Sequence, residues 1–333
     1  MNLIRKYGWL TLVFALFCGL VACKEEEEET SLPSMSGTVT FDIPHYVLKG
    51  ETVTMTASGV IYPVDVNYKW YIAGVYADTL AFRTVTVQFP DSIGVFKVSA
   101  AASAPGFYNT FTSQDVTTID TTWNTSLTGL RRSTDSFLDT RDGRSYGYVT
   151  LNGLDWFSQN LAWQGRGIPF KASKATAPLF GSFYTWQEAM DDGGVCPEGW
   201  RVPTEDDWIS LSAALNGGTP VDFYGNWPGL GEKASVDARL NDERMWPYSP
   251  DNVHSNDVGW NALPMGYTFA TAEGGNFSGV NAYGCWWSAT EKNAEQAFYR
   301  YIYSDSGDFP MSYTLKNDLR ASVRCVRTHP QSS

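Results

Sequence analysis

The chain has 333 residues, with 24 lysines and arginines against 36 acidic residues, and a formal net charge of −12. This acidic balance argues against nucleic acid as a partner, which would need a basic surface. Charged residues make up 18% of the chain and hydrophobic residues 43%, which excludes global disorder. His45, His254 and His329 are too scattered to favour a zinc cage or a histidine-based triad. The length predicts about two domains.

Residues 1–22 have the pattern of a signal peptide. The basic pair Arg5-Lys6 precedes an uncharged apolar run over residues 8–22. As a helix that run spans about 22 Å, which is short of the roughly 30 Å hydrocarbon core of a membrane. The run ends in the sequence LVAC, which resembles a bacterial lipobox. The resemblance implies cleavage before Cys23 and lipidation of its thiol; the alternative is an ordinary signal peptide with a chance cysteine.

Residues 23–35 are predicted to form an acidic, lipidated tether. Lys24 and five consecutive glutamates at residues 25–29 follow Cys23 directly. Like charges in a run repel one another and stay extended, so the run is at least a solvated spacer. A lysine and acids behind the lipidated cysteine also resemble the lipoprotein export signal of Bacteroidota. That resemblance implies an outer-membrane protein, anchored through the lipid on Cys23 and facing the cell exterior.

Residues 36–122 are rich in threonine and valine and show the period-two alternation of β-strands. Glycine and proline interrupt the pattern at short intervals, which is typical of an all-β sandwich. The motif Tyr68-Lys69-Trp70 and the later segment GVFKV resemble the skeleton of PKD and other Ig-like modules. The resemblance implies an N-terminal all-β Ig-like sandwich with Trp70 in its core. The predicted strands are residues 38–41, 52–55, 66–72, 85–89 and 95–98.

Residues 123–137 carry serine, threonine, asparagine and glycine and are predicted to be a linker. The composition then changes, since ten of the 13 tryptophans lie from residue 138 onward. Helical spacing predicts a helix over residues 183–190. A near capping box at residues 204–207 predicts a second helix that ends near Asn216. Alternation predicts strands over residues 297–303 and 321–326.

A series of short motifs follows in a fixed order: DGRSY (142–146), WFSQNL (156–161), YTW (184–186), CPEGWRVPTEDDW (196–208), WNALPMGY (260–267), WWSATE (286–291) and SVRCV (322–326). In order and spacing they resemble the Fibrobacter succinogenes major paralogous domain, over residues 138–329. That domain recurs in surface and secreted proteins of fibre- and gut-associated bacteria. The resemblance therefore implies an exported, surface-facing protein.

The block at residues 199–208 also resembles a block of formylglycine-generating and other C-type-lectin-like proteins. This implies a multidomain chain in which an α+β C-type-lectin-like domain follows the Ig-like sandwich. Formylglycine-generating relatives use a cysteine pair, which makes Cys285 and Cys325 candidates for an enzyme. Because Cys196 and Cys325 both lie in family motifs, a disulfide between them is the preferred hypothesis. Cys285 is then a buried, inert thiol.

No cofactor or metal is predicted for the chain. Loops rich in acids and amides at residues 241–243, 251–252 and 256–257 could offer oxygen ligands to calcium. The sequence contains no EF-hand pattern, however, and no lectin-type Trp-Asn-Asp triplet. Metal binding therefore remains the less favoured reading of these loops.

Aromatic side chains favour a binding function, because their flat faces suit sugars and protein surfaces. The candidate ligand-contacting residues are Trp227, Trp246, Tyr248 and Trp260, in the loop-like insert between residues 217 and 264. Packing beneath that insert is the alternative explanation. We predict a non-catalytic, lipid-anchored surface protein that binds a glycan or another surface protein. An exported thiol- or metal-dependent enzyme related to formylglycine-generating proteins is the alternative.

Overall fold

The computed structural model describes residues 31–73, 81–122, 125–250, 252–271 and 276–330. The fold is rich in β-structure with few helices and has two parts, one on either side of residue 123. The predicted signal peptide, Cys23 and the glutamate run lie outside the described residues. In the part of the chain that is described, no helix has the length and apolarity needed to cross a membrane.

Two sheets with a shared core form the N-terminal part. Their strands are β1 (Tyr46–Leu48), β2 (Thr52–Thr56), β3 (Asn67–Ile72), β4 (Thr84–Gln88), β5 (Gly94–Ser103) and β6 (Thr110–Ile119). One sheet has the order β1-β6-β5-β3 and the other pairs β2 with β4. Trp70 of β3 is fully buried in the core and donates its indole N–H to the Phe82 carbonyl at 2.8 Å. Of the predicted strands, residues 38–41 form only an isolated bridge at Thr40.

The C-terminal part contains the other strands and the α-helices of the described chain. The strands are β7 (Leu127–Thr128), β8 (Asp135–Asp139), β9 (Arg144–Leu151), β10 (Leu154–Phe157), β11 (Ile168–Pro169), β12 (Ser182–Tyr184), β13 (Arg239–Leu240), β14 (Glu243–Arg244), β15 (Tyr267–Phe269), β16 (Phe277–Ser278), β17 (Tyr283–Glu291), β18 (Gln296–Tyr303), β19 (Met311–Leu315), β20 (Leu319–Ser322) and β21 (Val326–Thr328). The helices are α1 (Ala177–Phe180), α2 (Trp186–Met190), α3 (Glu205–Leu215) and α4 (Leu230–Ala234).

Three sheets organise these strands. The largest has the order β11-β12-β20-β17-β18-β19, with β15 and β16 attached through β20. A second has the order β21-β10-β9-β8, and β14-β13-β7 form a third. Both faces of β17 are buried, because Trp287 packs in one hydrophobic cluster and its neighbour Trp286 in another. The central strands of the largest sheet therefore lie between two cores.

Local capping explains where two of the helices begin. Thr204 accepts a hydrogen bond from the Asp207 amide, and the Asp207 carboxylate accepts one from the Thr204 amide, so α3 begins as the sequence predicts. The helix predicted over residues 183–190 starts too early. Residues 183 and 184 belong to β12, and a capping box between Thr185 and Glu188 begins α2 behind them.

The segment predicted as a linker is partly built into the fold. Its strand β7 pairs with β13, and Leu127 is buried at 4% exposure. The strand β8 already begins at Asp135. Because these contacts tie the segment to the C-terminal part, residues 125–137 are not a free connector; residues 123 and 124 lie outside the described chain.

Candidate ligand-binding surface

Three of the four predicted ligand-contacting aromatics are buried. Trp227, Trp246 and Trp260 have no exposed surface. The guanidinium of Arg300 lies 3.3 Å from the centre of the Trp227 ring, and that of Arg324 lies 4.3 Å from the Trp260 ring. The prediction that these three rings contact a ligand is wrong, because the insert folds over the sheet and its rings enter the core.

The fourth predicted residue, Tyr248, is 77% exposed. The Arg244 guanidinium lies 5.8 Å from the centre of its ring, which is open to solvent whereas the three tryptophans are buried. Trp246 instead stacks on His254, with 4.9 Å between ring centres. Burial lowers the pKa of His254 to about 4, so that this ring is neutral at physiological pH. The predicted aromatics thus do not form one surface.

The cysteines of the C-terminal part lie in two different states. Cys196 and Cys325 form a disulfide with an S–S distance of 2.05 Å. Cys285 is a buried free thiol, 3.8 Å from the Gly266 carbonyl oxygen. Burial raises the pKa of Cys285, which keeps its sulfur protonated at neutral pH. Among the described residues, no group of three or more histidine, cysteine or acidic side chains is placed to hold a metal.

A different set of aromatic side chains, partly buried except for the exposed Tyr303, lies along β18. Residues in a strand alternate between the two faces of a sheet, and here Phe298, Arg300 and Ile302 point into the core. The alternate residues of the strand are Tyr299, Tyr301 and Tyr303, and their side chains share the opposite face. The neighbouring strand β17 adds Tyr283, opposite Tyr303 in the antiparallel register.

Tyr283, Tyr299 and Tyr303 border an open cleft of about 490 Å³, which we call the tyrosine cleft. Its lining consists of Tyr267, Phe269, Gly279, Tyr283, Tyr299, Tyr303, Thr314 and Leu319. The lining contains no lysine, arginine, histidine, aspartate or glutamate. Phe269 is 48% exposed and Tyr303 is 42% exposed, so two aromatic faces are open to solvent at its rim. The volume falls in the range of small-molecule sites.

Ring contacts hold the walls of the tyrosine cleft in place. Tyr283 stacks on Tyr301 at 5.1 Å between centres, and Tyr267 meets Tyr283 edge-on at 5.6 Å. Burial raises the pKa of both Tyr283 and Tyr299, so their hydroxyls stay protonated and can both donate and accept hydrogen bonds. The cleft therefore combines rigid apolar faces with neutral polar groups.

An acidic pocket of about 460 Å³ adjoins the tyrosine cleft, since Tyr303 lines both. The remaining lining of this acidic pocket is Asn226, Tyr301, Asp305, Ser306, Asp308 and Pro310. It places carboxylate and amide groups next to the aromatic faces of β18. Together the two concavities make a surface with flat rings at one end and hydrogen-bond acceptors at the other.

One sequence pattern does indicate this surface, but the prediction followed the abundant tryptophans instead. Tyrosine recurs at every second position of residues 299–303, which is the spacing of one strand face. That Tyr267 and Tyr283 join them depends on pairing between distant strands, which no local pattern reveals.

Comparison with known proteins gives the family of the C-terminal part. The profile of the Fibrobacter succinogenes major domain matches residues 149–327. Curated proteins yield no match to the chain. Among solved structures, the adhesin InvE of Yersinia pseudotuberculosis is 14% identical, with 87% of this chain and 70% of that chain covered and a TM-score of 0.23. A TM-score of that size supports no inference. The family profile, however, covers more than half of the chain, which therefore belongs to the Fibrobacter succinogenes major domain family.

Proposed function

We propose that this protein is a cell-surface lipoprotein whose C-terminal part binds neutral glycans without catalysis. The tyrosine cleft is the observation that carries this proposal. Sugars present apolar C–H faces together with hydroxyl groups, and aromatic rings with neutral hydroxyls complement both. An uncharged lining favours a neutral sugar over an anionic one, since it offers no cation to pair with a carboxylate or sulfate.

The acidic pocket extends the same surface for a ligand longer than one sugar. Hydrogen bonds from sugar hydroxyls to ionised carboxylates are stronger than those between neutral groups. In an oligosaccharide, one sugar unit would stack on Tyr303, and Asp305 and Asp308 would accept such bonds from the next sugar unit. This arrangement favours an oligosaccharide over a monosaccharide.

The proposed architecture places this binding surface away from the membrane. In it, the six-stranded N-terminal part is an Ig-like spacer and the C-terminal part is a C-type-lectin-like module. The lipobox-like residues before Cys23 support lipid anchoring, and the acidic run behind it supports export to the outer face of the outer membrane. The binding module would then face the cell exterior.

The states of the cysteines favour binding over thiol chemistry. An enzyme of the formylglycine-generating type would need Cys285 and Cys325 as a reactive pair. Cys325 is bonded to Cys196, and the raised pKa of Cys285 opposes thiolate formation. Both observations weigh against the enzyme as the function of this chain.

The test is binding of the mature protein to an array of neutral and anionic oligosaccharides. Tyr303→Ala removes an exposed ring of the cleft and should weaken binding of the recognised glycan by roughly tenfold or more, as expected for a stacking residue. Tyr248→Ala is the matched control, since its exposed ring lies elsewhere, and should bind like the wild type. Equal binding by both variants, or capture of proteins but no glycan, would overturn the proposal.

Anchoring is tested separately on growing cells. A palmitate analogue should label the wild type and leave Cys23→Ser unlabelled. Protease added to intact cells should remove the wild type, whereas replacing residues 25–29 with alanine should protect the protein inside the envelope. Equal labelling of both proteins, or equal protease access, would contradict the corresponding part of the proposal.

A further inference from the structure

A third concavity lies where the N-terminal and C-terminal parts meet, and we propose that it binds a small organic ammonium ion with an apolar body. This interdomain cleft has a volume of about 500 Å³. It shares no lining residue with the tyrosine cleft. Boundaries between domains are a common location for small-molecule sites of this size.

The walls of the interdomain cleft are largely apolar and come from both parts. Ile93 and Val95 contribute from the N-terminal sheet, and they are 38% and 65% exposed. Facing them are Phe170, Phe180 and Met265 of the C-terminal part, all buried. Methionine adapts to irregular shapes, and aromatic rings attract cations, so these walls suit an apolar body with a cationic head.

Asn241 connects the two walls of the interdomain cleft. Its side chain donates from Nδ2 to the Thr118 carbonyl at 3.1 Å, which fixes the orientation of its amide. Its Oδ1 accepts no hydrogen bond within the described residues and is buried, so a ligand in the cleft does not reach it. Asn241 therefore holds the turn that follows β13 against the N-terminal part.

Two carboxylates line the interdomain cleft. Asp242 and Glu243 follow Asn241 at the hairpin turn between β13 and β14, and neither forms an ion pair within the described chain. The neighbouring cation, Arg244, pairs with Asp237 at 3.1 Å. The turn has φ of 48° at Asn241 and 70° at Asp242, the left-handed backbone that a two-residue hairpin turn requires. It thereby brings two anionic side chains to a largely apolar lining.

The two carboxylates and the apolar walls together select the ligand. An ammonium group carries several N–H donors and a positive charge, so it complements Asp242 and Glu243. An anion would be repelled by Asp242 and Glu243, and a neutral alcohol would gain little from them. The apolar walls then accommodate the hydrocarbon portion of the molecule.

Isothermal titration of the mature protein with 2-phenylethylammonium tests the proposal, with 2-phenylethanol and 3-phenylpropionate as neutral and anionic counterparts. The ammonium ion should bind at least about tenfold more tightly than either counterpart, and Asp242→Asn/Glu243→Gln should remove about tenfold of that affinity. The control Asp65→Asn/Asp318→Asn removes the same charge at two exposed sites outside the cleft and should leave binding unchanged.

Two further variants locate the site. Val95→Trp places a large ring in the cleft from an exposed position and should abolish binding, whereas Tyr303→Ala alters only the tyrosine cleft and should not. The proposal is overturned if the three probes bind alike, if none binds, if both double variants bind equally, or if Tyr303→Ala weakens binding more than Val95→Trp does.

Discussion

Two arginines, Arg300 and Arg324, lie in the core without a carboxylate partner in the described structure. Arg324 is 1% exposed and donates to Asn160 Oδ1 at 2.9 Å and to the carbonyls of Phe157 and Trp260. Arg300 donates to the Phe309 carbonyl at 2.6 Å. Burial lowers the pKa of each to about 9, which still leaves both charged at neutral pH. Carbonyl dipoles and aromatic faces thus stabilise both charges, and at Arg300 the Asp222 carboxylate also favours the charged form.

Replacing Arg324 should therefore lower the free energy of unfolding, whether the new side chain is uncharged or charged. Arg324→Met keeps much of the volume but leaves the Asn160 and carbonyl oxygens without donors, so we expect unfolding to become easier by about 3 kcal/mol or more. Arg324→Lys keeps the charge but loses the planar fork that reaches several acceptors, so it should not restore the wild type. Urea unfolding monitored by tryptophan fluorescence measures both effects.

The exposed Arg83 supplies the control for this measurement. It makes one hydrogen bond, to the Ala57 carbonyl at 3.1 Å, on the surface of the N-terminal part. Arg83→Met should change the free energy of unfolding by no more than about 1 kcal/mol. A similar loss in Arg83→Met and Arg324→Met would show that the buried network is not what stabilises the core.

The buried arginines also explain why residue-scale prediction failed for the tryptophans. Trp227 and Trp260 look like loop residues because glycine and polar residues surround them in sequence. Their burial depends on guanidinium groups from Arg300 and Arg324, which lie far along the chain. Sequence patterns carry the spacing of neighbours, but not this kind of distant pairing.

At the scale of single elements, prediction succeeded where a local contact decides the structure. The start of α3 follows from a capping box between Thr204 and Asp207. Because these residues are only three positions apart, the local sequence is enough to predict it. The start of α2 was misplaced because Phe183 and Tyr184 have helical spacing but pair with β20. Tertiary pairing thus overrode a helical pattern that was locally consistent.

The side chain of Asp155 connects its own strand, β10, to the neighbouring strands β9 and β21. Its carboxylate accepts from Thr150 on β9 at 2.7 Å and from Arg327 on β21 at 2.9 Å, and His329 Nδ1 lies 2.7 Å away. Burial opposes ionisation of Asp155, but the hydrogen bonds from Thr150, His329 and Arg327 outweigh it and lower its pKa. A lowered carboxylate pKa stabilises the fold above the unfolded pKa of about 4, and this stabilisation disappears as the pH falls through the folded pKa.

Asp155→Asn should accordingly lower the free energy of unfolding by about 3 kcal/mol at pH 7, because it leaves the partly buried guanidinium of Arg327 without its anionic partner. It should also flatten the loss of stability below pH about 4, since one titrating carboxylate is gone. Asp115→Asn is the control, because the Asp115–Lys97 pair is 58% exposed at both side chains and such pairs contribute little. Thermal unfolding between pH 2 and 7 distinguishes the two variants; parallel pH curves for Asp155→Asn and the wild type would contradict the prediction.

At the scale of the whole molecule, the two parts contact each other at the turn after β13 and at β1. Asn241 donates from Nδ2 to the Thr118 carbonyl of the N-terminal part at 3.1 Å. On β1, Tyr46 packs against Phe170 with 5.7 Å between ring centres. The change in composition near residue 138 indicated two parts, but these contacts between them are long-range and left no local pattern.

The disulfide stabilises the C-terminal part as a whole. Cys196 and Cys325 are separated by 129 residues, so their bond closes a loop around most of the C-terminal part. By chain entropy, a loop of that length stabilises the fold by up to about 5 kcal/mol. Cys196→Ala/Cys325→Ala should therefore unfold at clearly lower urea concentration than the wild type, even though the chain keeps the same strands and cores.

Cys285→Ala separates the cross-link from simple loss of sulfur. Its thiol is as buried as Cys325, so the variant should lose only about 1 kcal/mol of packing. Peptide mapping of the non-reduced protein should recover residues 196 and 325 together, with Cys285 alkylated only after unfolding. A link between Cys285 and Cys325, or a Cys325 that is alkylated in the folded protein, would show that Cys325 is not held by Cys196. Cys285 and Cys325 could then act as a reactive pair. The thiol-dependent enzyme would then be favoured over the binding module, because the restraint that now removes Cys325 from chemistry would be absent.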